Sequence, residues 1–151
     1  MPMCFVLHLA SPVPLPLVSW DENAPAFNVA PVREWGREAL VHFTLPHVVE
    51  LGSDKCCGCG FRNASYQGGS WPWEEWRPDD DTEDVDAQPN HERMVAYLRA
   101  HLPPGTVCEI HGGWNGELGL ECRSDQEIPL SRLLELDFFF RHRGRYTVTV
   151  D

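Results

Sequence analysis

The chain has 151 residues, 42% hydrophobic and 11% aromatic, which is enough for one domain with a buried core that needs neither disulfides nor metal to fold. With 23 acidic against 12 basic residues the formal charge is −11. That charge repels phosphate backbones and anionic lipid and argues against nucleic acid and membrane surfaces as partners.

Residues 3 to 10, MCFVLHLA, alternate as a strand, with Phe5, Leu7 and Leu9 on one side and Cys4, Val6, His8 and Ala10 on the other. The apolar start is not expected to be a signal peptide. Its first basic side chain other than histidine is Arg33, and Pro12, Pro14 and Pro16 interrupt any helical core. The prolines suggest an extended edge segment, and residues 20 to 29 are rich in turn formers. No run approaches the roughly 18 apolar residues of a membrane helix, so a cytoplasmic location is expected.

Residues 33 to 43, REWGREALVHF, form a weak helical pattern that Gly36 opposes. HVVELG, residues 47 to 52, reads as a second strand, and the cysteine-rich GSDKCCGCGF follows it directly. Residues 62 to 88 look like a long surface loop. Its stretch 74 to 86 sets eight acidic groups against Arg77 alone. The clearest helix is residues 91 to 102, with Met94, Tyr97, Leu98 and Leu102 as its apolar stripe, Asn90 as N-cap and Pro103-Pro104-Gly105 as its stop.

Strands are predicted at 106 to 112, at 119 to 123, and in DFFFRH and RYTVTV across a turn at Arg143-Gly144. A short helix with Leu130, Leu133 and Leu134 inward is predicted within 129 to 136. Strands, one main helix, then mostly strands indicate a single α+β domain over residues 1 to 151, with a largely antiparallel sheet.

The cysteines carry the most specific chemistry. Cys57 and Cys59 are two apart and point the same way from an extended backbone, while Cys56 points away. All three are too crowded for a disulfide framework. Two thiolates beside close-turning glycines suit a soft ion such as zinc, which takes three or four ligands. The remaining ligands must come from elsewhere, and Cys4, His8, His42, His47, His91 and Cys122 are the candidates. Cys4 and His8 share a strand face but sit roughly 13 Å apart, so one ion cannot take both. Cys4 offers the better chemistry and His47 the better proximity. The favoured set is Cys4, Cys57, Cys59 and His47.

Two other readings stay open. A single thiolate at Cys57 or Cys59, near His42 or His47, would be a nucleophile or redox centre. Small buried cysteines at a glycine turn need have no chemistry at all.

The acidic loop fails the EF-hand template, because Asp84 stands where glycine is needed and Asn90 where glutamate is needed. Trp71, Trp73 and Trp76 beside Asp79, Asp80 and Asp81 offer either a surface for a basic protein partner or anchors that pin the loop down. RHRGR, residues 141 to 145, is the one basic cluster, a site for an anion or a partner for the acidic loop, or else simply a solvated turn. His111 reads as structural. No nucleophile triad, P-loop or dinucleotide fingerprint is present.

MCFVLHLAS, PLPLVSWDENAPAFNV, VHFTLPHVVELGS and CCGCGF together resemble a small bacterial family with an MC…PLP…WDE pattern and a GS…CGCGF motif. The similarity covers residues 3 to 61. The family carries no settled activity, so the resemblance implies no reaction. It directs attention to Cys4, His42, His47, Cys57 and Cys59. The family pattern has histidine after GS and glycine before CGCGF, where this chain has Asp54 and Cys56.

Overall fold

The computed structural model describes residues 4–63 and 83–151, with the side chains of 83–86 excepted. Trp71, Trp73, Trp76, Asp79, Asp80 and Asp81 therefore lie outside the described residues. Six strands form one sheet: β1 (Phe5–Ser11), β2 (Asn28–Pro31), β3 (His47–Gly52), β4 (Val107–Trp114), β5 (Ser124–Pro129) and β6 (Gly144–Thr149). Their order is β2-β3-β1-β4-β6-β5. Every pairing is antiparallel except β5 with β6. With helix α1 (Glu83–His101) and three short 3-10 helices, this is the α+β architecture with a largely antiparallel sheet that the element order indicates.

The sheet has two different faces because strand residues alternate. Phe5, Leu7 and Leu9 of β1, Leu51 of β3, Ile110 of β4, and Tyr146 and Val148 of β6 point to one side. There they pack against Met94, Val95, Leu98 and Leu102 of α1. Burying each such side chain contributes about 1.5–3 kcal/mol.

The opposite face is polar across its middle. Glu50, His8, His111, Arg145 and Asp125 pair register by register from β3 to β5. The 3-10 helix Glu34–His42 covers this row, with Val6, Ala39, Leu118 and Phe43 as a small second core. Gly36 makes the cover possible, since a Cβ there would stand 3.0 Å from His8 Nε2. The glycine that weakens the helical pattern is thus the residue that lets the helix sit on the histidine.

Four elements differ from the sequence reading. Helix α1 begins at Glu83, not after Asn90, and runs through Pro89. An interior proline loses its own N–H bond and crowds the carbonyl four residues earlier, and the tertiary bonds of Gln88 before it and of Asn90 and His91 after it hold the helix across it. Asn90 is accordingly a buried tether within the helix and not its cap. The last edge strand is Ser124–Pro129 instead of residues 119 to 123, which are turn and loop following the turn at Gly116, φ 94. DFFFRH forms no hairpin with β6. Phe138 and Phe140 are buried in the core, and Phe140 makes only an isolated bridge to Asn63. Its backbone follows the packing of its aromatic rings, so β6 takes β4 and β5 as neighbours. Finally, β2 escapes the sequence reading because four residues beside turn formers carry little periodic signal.

A candidate metal centre at the end of strand β1

The segment after β3 folds around Ser53, which is fully buried. Its N–H donates to Cys57 O at 2.9 Å, and its carbonyl accepts from Cys56 N at 3.0 Å. Its hydroxyl donates to Cys57 O at 2.5 Å and accepts from Lys55 N and Gly60 N. A serine hydroxyl has one donor and two acceptor sites, and all three are used. The loop is then tied to its surroundings. Asn90 bonds Asp54 and Gly60, Asn28 donates to Ser53 O, and Trp20 Nε1 donates to Asp54 O at 3.0 Å. Within it, Cys56 is held at φ 72, in the left-handed region that favours glycine.

The 3-10 turn Gly58–Gly60 presses against the start of β1. A Cβ on residue 58 would lie 2.6 Å from Phe5 O, so only glycine permits this approach. Phe5 N–H donates to Cys59 Sγ at 3.2 Å. The sulfurs of Cys4, Cys57 and Cys59 consequently lie within 4.8 Å of one another, half-buried and undisulfided.

Their protons are unevenly shared. The Cys57 thiol donates to Cys59, and this bond, helped by Phe5 N–H and opposed by burial, lowers the Cys59 pKa to about 7. Cys57 is pushed far up, first because it is held as that donor and then by burial. Cys4 is raised by burial and by the Cys57 charge. Near neutral pH the group is one partial thiolate solvated by two thiols, and a cation that replaces those protons gains three soft ligands.

The structure brings Cys4 to Cys57 and Cys59 but separates His47 from them. His47 pairs with Ser11, at the opposite end of β1 from Cys4, and is exposed. Proximity in sequence misled because β3 runs its full length between His47 and the loop. Cys56 is adjacent in sequence, yet its left-handed backbone leaves it outside the group. His91 is also excluded. It is fully buried, with Nε2 accepting from Arg62 N at 3.0 Å and Nδ1 2.8 Å from Leu133 O. His42 lies on the polar face beside His111 and Cys122. His111, which the sequence reads as structural, is fully buried and has His42 and Cys122 as neighbours, which only the tertiary structure reveals.

The basic cluster is largely committed internally. Arg145 bonds Glu109, Asp125 and His42 O, while Arg143 donates to Glu121 O. Among the described residues no helix is long and apolar enough to cross a membrane. Comparison of the chain with protein-family models, curated proteins and solved structures finds no match.

Proposed function

We propose that Cys4, Cys57 and Cys59 bind one zinc ion as thiolates, and that the domain acts as a metal-dependent regulatory or binding module and not as an enzyme. The convergence of Cys4 with Cys57 and Cys59, more than fifty residues along the chain, carries this reading. Tetrahedral zinc with Zn–S near 2.3 Å sets its sulfurs about 3.8 Å apart. The sulfurs already lie within 4.8 Å of one another, so a closure of no more than about 1 Å would bring them to that spacing. The Phe5 N–H bond to Cys59 is the outer support that a metal-bound thiolate uses. Three ligands leave a fourth position for a ligand the group does not supply.

A second reading rests on the lowered pKa of Cys59. A half-ionised thiolate with two thiols beside it suits disulfide exchange, in which Cys57 or Cys4 resolves the first adduct. One experiment separates the two: metal analysis of the purified protein, with each cysteine's alkylation measured before and after chelation. Zinc that leaves together with the protection of Cys57 and Cys59, and a Cys57→Ser variant that holds one equivalent less, support the metal module. Metal-free protein whose Cys59 alkylates with a midpoint near pH 7 replaces it with the thiol reading.

A further inference from the structure

The polar face holds a second group of soft and borderline ligands, on different elements from the first. His42 ends the 3-10 helix that covers the sheet, His111 stands in the middle of β4, and Cys122 lies in the loop before β5. One ligand atom from each lies within 4.8 Å of the others.

Three observations point to a ligand there. His42 Nε2 lies 2.7 Å from Leu118 O, an acceptor, so this nitrogen donates and Nδ1 carries the lone pair. Metal-bound histidines are oriented in this way, with one ring nitrogen donating to a carbonyl and the other facing the ion. That Nδ1 accepts from the Cys122 thiol, with Sγ at 3.4 Å, so an ion bound there takes the place of the thiol proton. Tetrahedral zinc with ordinary bond lengths separates a sulfur and a nitrogen ligand by about 3.5 Å. Third, His111 is completely buried and neither ring nitrogen has a hydrogen-bond partner among the described residues. A buried polar atom left without a partner is costly, and a bound ion would satisfy the lone-pair nitrogen of the two.

We propose that His42, His111 and Cys122 form a second zinc site, distinct from the three-cysteine group and independent of it. The His42 and His111 rings stack at 4.1 Å with planes 12° apart, so sharing one ion requires one ring to turn out of the stack. Neither ring nitrogen of His111 has a hydrogen-bond partner among the described residues, so no hydrogen bond opposes the χ2 rotation that would turn its lone pair towards an ion shared with His42 and Cys122. Two imidazoles and one thiolate make a three-ligand set with an open fourth position, the pattern of sites that bind a further ligand on the metal. The neighbouring Arg145 is matched by Glu109 and Asp125, so it does not present an unbalanced positive charge to the ion.

The test follows Cys122 itself in the full chain. Protein stripped of metal is alkylated with and without added Zn²⁺, and every cysteine is quantified by peptide mass spectrometry. The expected result is a slowing of Cys122 alkylation by tenfold or more with zinc. His42→Gln and His111→Gln should each abolish that protection while Cys57 and Cys59 behave as in the wild type. Zinc content of Cys122→Ser should fall by one equivalent, which also decides the matter if Cys122 is too slow to alkylate. Equal Cys122 alkylation with and without zinc, or a Cys122→Ser variant with wild-type zinc content, overturns the proposal. Loss of protection at Cys57 and Cys59 alone refutes the first site and leaves this one standing. Circular dichroism on each variant identifies one that fails to fold, and His42, being only half-buried, is the safer of the two histidines to change.

Discussion

Gly58→Ala changes the three-cysteine group without removing a ligand. The new Cβ would meet Phe5 O at 2.6 Å and Phe5 C at 3.2 Å, both backbone atoms of the central strand. Neither can swing aside as a side chain does, so the loop must retreat. Restoring ordinary contact requires a shift of about 0.8 Å. The Phe5 N–Cys59 Sγ distance, 3.2 Å in the native fold, then stretches towards 4 Å and the bond is lost. Metal sites tolerate displacements of about 0.2 Å, so zinc affinity at Cys4, Cys57 and Cys59 should fall by about 10- to 100-fold. Stability of the metal-free protein should fall by about 1–3 kcal/mol, the usual cost of overpacking. Competition against a chromophoric chelator measures the first quantity and urea unfolding of chelated protein the second. An affinity within twofold of wild type would refute the link between this close approach and metal binding, even if stability fell as expected.

Other consequences are open to direct measurement. Arg62 is fully buried, and its guanidinium donates to Phe138 O, Leu133 O, Glu135 O and Gln88 Oε1. Arg62→Met should lower stability by about 3–5 kcal/mol, because it strands those acceptors, and an unchanged urea midpoint would contradict this. Burial, with the Arg62 charge beside it, lowers the His91 pKa to about 3. Above the unfolded value near 6.5 neither state is protonated. As pH falls from there towards 3 only the unfolded state takes up the proton, so stability is lost at about 1.4 kcal/mol per pH unit for this residue. His91→Gln should flatten the acid limb by that slope, and an identical slope in the variant would disprove the assignment. Cys56 is held at φ 72, so Cys56→Gly should raise stability by about 0.5–1 kcal/mol; a lower thermal midpoint would contradict it.

Sequence periodicity located β1, β3 and the hydrophobic stripe of α1, because alternating and helical patterns each mark one buried face over many residues. It also marked Cys57 and Cys59 as a pair, since two cysteines among glycines have few structural duties. Shorter or interrupted patterns misled. Asn90 read as the N-cap of a helix over 91 to 102, yet the helix starts at Glu83, and bonds from Asn90 and His91 to distant residues hold it there. DFFFRH has strand composition, but its rings complete the core from a non-strand segment.

The residues alone therefore determined the fold class, the acidic balance and the chemistry available to any site: six thiols and seven imidazoles in a chain with one amphipathic helix and several strands. They did not determine which of those groups meet. Strand order and register made that choice. Antiparallel pairing set His8 beside His111 and sent His47 to the far end from Cys4, while the approach of Gly58 to Phe5 carried Cys57 and Cys59 to Cys4. The physical reason is range. A periodic pattern reports which face of one element is buried, whereas a metal site depends on ångström-scale contacts between elements distant along the chain, and those exist only once the sheet has formed.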